Sequence, residues 1–538
     1  MDRFRVSRYL LPVRTILALL VACFATITHA QVLLVPLDSR PAAGQFAQVI
    51  GRMGGAEVRM PPYDALGRFT SAGRPDEILD WIEQQAALGI RSVVVSADMV
   101  AYGGLIASRV NETNLDVAKR RIERLTRLKA DYPDLKIYVF SSIMRLAPTA
   151  TSTTASWRMN LARLVELQDQ AARQKSAELA GKVQRLTTMV PAAEIAKYKA
   201  TRKRNHDLQL HLLQLVKSGG IDYLILGQDD AKEFGPHIGE RNTLQAVTAK
   251  SGLEAKVFFC EGIDQHSNVL VSRAVLKQNG WIPRVKVVYS DPASADTIAY
   301  YESRPIRKSL EAHIFASGAR PVNATGESDY TLYVNTPNPR PGSFKVFTQL
   351  LAQEIDKRAP VAVADINLGA SGVPDQELFN VVTKQDRPEK LLAYAGWNTA
   401  GNTLGTAIPA ASMAQLARRL YPESLDLELA RVEFLLHRFV NDFAYHRYTR
   451  PAAYQLIDEL PGATREEVHG LNHNAVNTFV QRDLTRFIGE YFRDMFFGAR
   501  LRNGATTSVV SGIEDVKVWL PWPRAYEVRL EFQLRATR

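Results

Sequence analysis

At 538 residues the chain is long enough to bury a large core and to fold as two domains. Hydrophobic residues make up 46% and charged residues 23%, an ordinary globular balance that argues against wholesale disorder. The formal charge of +11 is spread thinly, its densest cluster, Arg202-Lys203-Arg204, falling in an expected helix; with no aromatic-interleaved basic stripe, a nucleic-acid partner is not expected.

The chain opens with Arg3, Arg5, Arg8 and Arg14, followed by an apolar run, Ile16 to Val21, too short to span a bilayer. Thr28-His29-Ala30 offers a small-residue cleavage site, so residues 1–30 read as a signal peptide and the protein as exported, periplasmic or secreted. Leu20-Val21-Ala22-Cys23 also fits a lipoprotein signal, which would attach the chain to a membrane only through lipid on Cys23. Removal of residues 1–30 takes away four arginines and one aspartate, leaving +8. Cys23 and Cys260 are the only cysteines, so no intramolecular disulfide survives cleavage at Ala30. Cys260 closes the run Val257-Phe258-Phe259 and reads as an inert buried thiol.

From Gln31 to about residue 410, strand and helix patterns alternate. Val32–Leu37 is followed by a helix around Gln45–Met53, the strand Glu57–Met60 and an amphipathic helix over Pro75–Gly89, opened by Pro75, Asp76 and Glu77. Val93–Ser96, a helix near Leu115–Tyr132 and the strand Lys136–Ser141 come next, then a long helical region over Ser156–Ser218 interrupted near Pro191. Ile221–Gly227, Lys256–Cys260, Val285–Ser290, Thr331–Val334, Val361–Ala364 and Leu391–Ala395 complete ten candidate strands. This alternation predicts an α/β fold with a mostly parallel sheet, arranged as a barrel-like (β/α) core. Two Rossmann-like lobes around a cleft, split near Val285, are the alternative. No Gly-rich dinucleotide fingerprint opens any helix, so no cofactor of that type is expected. From 411 to 538 the pattern turns helical, over Leu416–His446 and Arg465–Phe497, and ends in the alternating tail Val516–Leu534. That tail predicts a small β appendage with Pro521 and Pro523 at a turn or edge.

Several strands run directly into acids or polar residues: Asp38-Ser39-Arg40, Asp98, Gln228-Asp229-Asp230, Asp291, Asp365 and Gly396-Trp397-Asn398. Ligands of parallel α/β folds bind beyond such strand ends, which points to an enzyme or a polar-ligand binder. These segments other than Asp291, with Pro36–Pro41, Tyr102-Gly103-Gly104-Leu105, Ser108-Arg109, Ser142-Ile143-Met144-Arg145, Val334-Asn335-Thr336-Pro337, Asn402-Thr403-Leu404-Gly405 and Leu520-Pro521-Trp522-Pro523-Arg524, resemble the bacterial domain-of-unknown-function family 4127. The resemblance covers nearly the whole mature chain and implies no settled chemistry, so function is argued from the residues.

Asp229-Asp230 is the sharpest constellation. At a strand end the chain turns, so adjacent carboxylates can reach one pocket. The pair is similar to that of β-N-acetylhexosaminidases that use the substrate's own acetamido group. By that analogy Asp229 steadies the amide and Asp230 is the general acid/base. A helix cap beside a surface carboxylate is the plainer explanation. Asp38, Arg40, Asp98, Tyr102, Arg145, Asp264, Asn335, Asp365, Trp397 and Asn398 are expected to hold substrate, the Trp397 indole by stacking on a sugar face. Internal ion pairs, ordinary turns and core packing compete with each of these roles. Glu261, Asp264 and His266, with Glu233, His237 and Glu240, suit a divalent metal by residue type, but their spacing matches no established signature, and no metal is assigned. The expected function is an exported carbohydrate-active hydrolase, a retaining glycosidase on N-acetylated amino sugars, taking a small-molecule or glycan substrate. A metal-assisted hydrolase of an ester, amide or phosphoester, and a non-catalytic glycan- or solute-binding protein, are the alternatives.

Overall fold

The computed structural model describes residues 30–323, 325–384 and 386–537. Cys23 and the basic and apolar segments of the expected signal peptide lie outside the described residues. Eleven parallel strands are present, β1 (Gln31–Val35), β2 (Glu57–Arg59), β3 (Ser92–Ser96), β4 (Lys136–Ile143), β5 (Tyr223–Gln228), β6 (Val257–Glu261), β7 (Arg284–Tyr289), β8 (Arg320–Val322), β9 (Tyr330–Asn335), β10 (Val361–Asp365) and β11 (Ala393–Ala395). They form two open sheets, ordered β2-β1-β3-β4-β5-β6 and β11-β10-β9-β7-β8. The barrel-like arrangement is therefore corrected: the two-lobed alternative, divided next to Val285, describes the strand pairing. Counted from β7, the second sheet repeats the order of the first, with its second strand outside its first and the third on the other side. Both are the 2-1-3-4-5 order of doubly wound folds, the first sheet adding a sixth strand.

Strands β3 and β10 are buried at every residue, because helices cover both faces of each sheet. That double burial is why they read as unbroken apolar runs. Strand β8 escaped the sequence reading. It is three residues long, carries Pro321 at its centre and lies on a sheet edge, pairing only with β7. An edge is where a residue without an N–H is tolerated.

One hydrophobic core runs through both lobes. It joins Val32 and Leu34 of β1 and Phe140 of β4 to Leu332 of β9 and Ala362 of β10, through helices Gln45–Met53, His266–Gln278 and Ala400–Leu420. Of the 21 residues in the last helix, 17 are buried, so it has no solvent face and serves as shared filling between the sheets. Its small residues permit that approach. A Cβ on Gly401 would sit 2.3 Å from the Glu261 carbonyl oxygen, inside contact distance.

The C-terminal region continues with helix Leu425–Arg438, a π-helical stretch Phe439–Thr449, and helices Arg450–Glu459 and Gly470–Tyr491. It ends in an antiparallel sheet, β12 (Arg500–Asn503), β13 (Thr506–Trp519) and β14 (Arg529–Thr537). The expected β element is there, with Pro521 and Pro523 in the β13–β14 connection. That connection reaches back to the first lobe: Trp522 Nε1 donates to Ser39 Oγ at 2.9 Å and Arg68 Nε to the Pro521 carbonyl at 3.0 Å. No described helix is long and apolar enough to cross a membrane.

Candidate functional site

The carboxyl ends of β1, β4, β5 and β6 open into a cavity of about 380 Å³. The first lobe lines it with Arg40, Arg145, Asp229, Asp230 and Asp264, the second with Tyr301, Asn398 and Asn402, and the C-terminal region with Tyr454, Trp522 and Tyr526. Ligand-binding clefts of doubly wound sheets form at this end of the strands.

The acid pair takes its geometry from strand pairing. Ile143 of β4 lies opposite Gln228 of β5, and the Asp229 N–H extends the ladder to the Ile143 carbonyl at 3.1 Å. The chain beyond β4 therefore runs beside Asp229-Asp230, and Arg145 Nη1 meets Asp230 Oδ2 at 3.1 Å. Asp229 turns inward. It accepts from Arg109 Nη2 through Oδ2 and from the Asp230 N–H, at 2.9 Å, through Oδ1. The Asp230 side chain stays 43% exposed.

These environments separate the two carboxyls. Burial alone would raise Asp229, but Arg109 and Arg145 outweigh it and hold the group below the usual carboxylate range. Burial and then the neighbouring Asp229 charge push Asp230 above its ordinary value, against the pull of Arg145 and Arg109. Open access of Asp230 to solvent moderates that rise. Two titratable groups driven apart in this way are the pattern of an ionised positioning group beside a proton donor.

Asp38 stands behind the cavity wall. It accepts a forked contact from Arg40, Nε at 2.9 Å and Nη2 at 2.7 Å, while the same Nη2 reaches Asp264 Oδ1 at 2.7 Å. Burial disfavours the guanidinium charge, but Asp264 and Asp38 together keep the Arg40 pKa well above its ordinary value. Arg40 also lies over the Trp522 ring at 5.1 Å. Asn398 projects from the β11 connection in a left-handed conformation, φ 57°, and donates to Asn402 Oδ1 at 2.6 Å. Asn402 in turn donates to Gln265 Oε1 at 2.7 Å, tying the second lobe to the first at the cavity floor.

The other expected residues lie elsewhere. Asp98 is buried beneath the first sheet's rim, accepts the Ser142 N–H at 2.9 Å, and is raised to about 6 by burial. Tyr102 packs 4.0 Å beneath the Arg204 guanidinium, and Gly103-Gly104 make the turn between two short helices. Trp397 is 95% buried, donates through Nε1 to Thr406 Oγ1 at 3.2 Å, and packs edge-on against Phe46. It borders only a side recess of about 40 Å³. Core packing, not sugar stacking, accounts for it. Asn335 and Asp365 form a separate cluster at the ends of β9 and β10, where Asp365 accepts from Asn335 Nδ2 at 3.0 Å and from the Asn367 and Asp375 N–H groups at 3.2 and 2.7 Å. Of the strand-end acids Asp38, Asp98, Asp230 and Asp365, only Asp230 lines this cavity; the other three serve backbone N–H groups or arginine inside the protein.

Burial, then the Asp375 charge, push Asp365 up to about 7, above its unfolded value of roughly 4. Its contribution to stability is complete below that unfolded value and is lost as pH rises through about 7. Melting temperature is expected to fall between about pH 4 and pH 7, and Asp365→Asn to flatten that fall. An unchanged pH dependence in the variant would contradict this account.

The residues considered for a metal do not converge. Glu261 pairs with Arg241 at 3.0 Å, Glu240 with Arg202 at 2.6 Å, His237 Nε2 contacts the Lys232 carbonyl at 2.9 Å, and His266 is buried against Phe140. Among the described residues no group of three or more His, Cys, Asp or Glu side chains is placed to hold a metal ion. Cys260 is buried, which pushes its thiol up to about 12.

Tyr301, Tyr454, Trp522, Arg524 and Tyr526 were not among the expected site residues. Only the Leu520–Arg524 segment carried a signal, as one of the matching family motifs. Tyr301, left-handed at φ 64°, and Tyr526, whose hydroxyl donates to Asn398 Oδ1 at 3.3 Å, stand at the cavity mouth.

A two-lobed α/β protein with a strand-end cleft is the class these features define. The chain belongs to the protein family of unknown function DUF4127, whose profile matches residues 32–531. Comparison with curated proteins finds no match.

Proposed function

We propose that the protein is a carbohydrate-active hydrolase, a retaining glycosidase on N-acetylated amino sugars that works through Asp229 and Asp230. The observation that carries this reading is the divided pair: one carboxylate buried on arginine, its neighbour half-open to a polar cavity walled by tyrosine. In the first step the substrate's acetamido oxygen bonds to the anomeric carbon while the Asp230 carboxyl gives its proton to the departing glycosidic oxygen. Asp229, kept ionised, accepts the amide N–H and orients it. In the second step water adds at the anomeric carbon, its proton passes to the Asp230 carboxylate, and the acetamido oxygen is released. Asn398 and Asn402 offer donors and acceptors to sugar hydroxyls, and Tyr454 and Tyr526 offer aromatic walls. The proposal includes export, on the basic and apolar pattern of residues 1–30.

The test is hydrolysis of a panel of nitrophenyl glycosides and glycan fragments, with N-acetylated and non-acetylated members of each sugar. Turnover restricted to the acetamido sugars supports the reading. Equal turnover of both members would remove the substrate-assisted step.

A further inference from the structure

Six arginines line the cavity against four carboxylates, and their partners differ. Arg40 is taken by Asp38 and Asp264. Arg465 reaches outward to Asp458, and Arg524 to Glu527 at 2.9 Å. That leaves Arg109, Arg145 and Arg158 with Asp229, Asp230 and Glu466; Arg109 pairs with Asp229 and Arg145 with Asp230. Arg109 is only 7% exposed, and its Nε has no hydrogen-bond acceptor. Arg145 spends its Nε on the Ala147 carbonyl at 2.9 Å. For Arg158 the single hydrogen bond among the described residues is a long one, 3.4 Å from Nη1 to the Pro148 carbonyl, and no carboxylate lies within ion-pair distance. Burial, then the nearby Arg145 charge, lower the Arg158 pKa, against a weaker pull from Glu466.

With Asp229 on Arg109 and Asp230 on Arg145, Arg158 stands at the cavity with N–H donors that no carboxylate takes. A donor without an acceptor is unfavourable, so an anion that supplies one at this wall is bound favourably. Guanidinium forks suit the oxygens of a carboxylate or phosphate, and bind them more strongly than they bind neutral hydroxyls.

We propose that the cavity is built for a saccharide bearing an acidic group, a carboxylate or a phosphate, which Arg158 binds with Arg109 and Arg145 beside the acid pair. This substrate class rests on the glycosidase reading for the bond that is broken, but the anion site itself is tested by binding alone.

Two matched probe pairs serve: glucuronate against glucuronamide, and glucose 6-phosphate against glucose, each titrated calorimetrically into the purified protein. The charged member of at least one pair is expected to bind about tenfold or more tighter than its neutral partner, the worth of one charge-assisted hydrogen bond. The pair that responds distinguishes carboxylate from phosphate. Arg158→Gln is expected to erase most of that preference and Arg158→Lys to retain part of it. If Arg158→Gln does not fold, Arg158→Lys and the fall of the wild-type preference with added salt carry the test. Equal binding of charged and neutral members in both pairs overturns the inference, as does a preference that survives Arg158→Gln. A charged-probe preference without turnover of any glycoside keeps the anion site and removes the hydrolase reading. Turnover of neutral glycosides without a charged preference does the reverse.

Discussion

Replacement of Asp230 by asparagine is expected to lower turnover by about 10²- to 10⁴-fold with little change in substrate binding, the usual worth of a positioned general acid. Asparagine keeps the size of the side chain and an acceptor for Arg145 Nη1, which lies 3.1 Å from Asp230 Oδ2. Folding is therefore expected to be intact, and melting temperature checks it. The pH dependence adds an independent signature. A proton donor works only while protonated, so the rate falls as pH rises through its pKa. Because burial and Asp229 hold Asp230 above its ordinary value, that falling limb is expected above the normal aspartate range. Arg145→Gln removes the nearest stabilising positive charge and is expected to carry the limb further upward. Full-rate turnover by Asp230→Asn would eliminate this residue as the acid. A limb that stays put in Arg145→Gln would detach it from Asp230.

The second large effect is structural. Arg40→Met is expected to destabilise the protein by about 3–5 kcal/mol, the range for removing one partner of a buried ion pair. The loss is large because the guanidinium serves two carboxylates, Asp38 at 3% and Asp264 at 12% side-chain exposure, each 2.7 Å from Nη2. Without it, the charges of Asp38, behind the cavity wall, and Asp264 lose their shared partner, and Trp522 loses the cation over its ring. Neutralising the acids as well is the discriminating experiment. The triple variant Asp38→Asn, Asp264→Asn, Arg40→Met is expected to recover a substantial part of the stability, since no uncompensated charge then remains. Denaturant unfolding measures both. Equal stability of Arg40→Met and the wild type would show that water, not arginine, satisfies these carboxylates.

Much of the fold was legible because the interactions that define strands are local. Ten of the eleven parallel strands were legible, most of them as apolar runs, since a strand covered on both faces has no polar side to show; the edge strand β2, Glu57-Val58-Arg59, is not such a run. Pro191 stands in the break between helices Ala177–Thr188 and Ala192–Lys217, where it precedes the first residue of the second, and the alternating tail became β13 and β14; a further break at Lys175 was not expected. The exception, β8, has a proline and too few residues to set up any period. Whether eleven parallel strands close into one barrel or separate into two sheets depends on which edges find partners. No local pattern encodes that choice.

The site divides along the same line. Residue type and place, acid or asparagine at the end of an apolar run, marked Asp229, Asp230, Asp264 and Asn398, all of which line the cavity. The same rule marked Asp98 and Asp365, which are consumed internally by N–H groups of neighbouring chain ends. It marked Trp397 as a sugar platform, whereas the tryptophan at the cavity wall is Trp522, brought to Ser39 across 483 positions of chain. By itself, then, the sequence determined the alternation of strands and helices, the polar character of the strand ends and the membership of residues 32–531 in their family. Tertiary structure alone decided which of those ends meet. Arg109 finds Asp229 across 120 residues and Arg40 finds Asp264 across 224. Secondary structure follows from hydrogen bonds and side-chain periods within a few residues. Convergence follows from how whole sheets and the helix between them fill space, a balance of packing summed over the entire molecule.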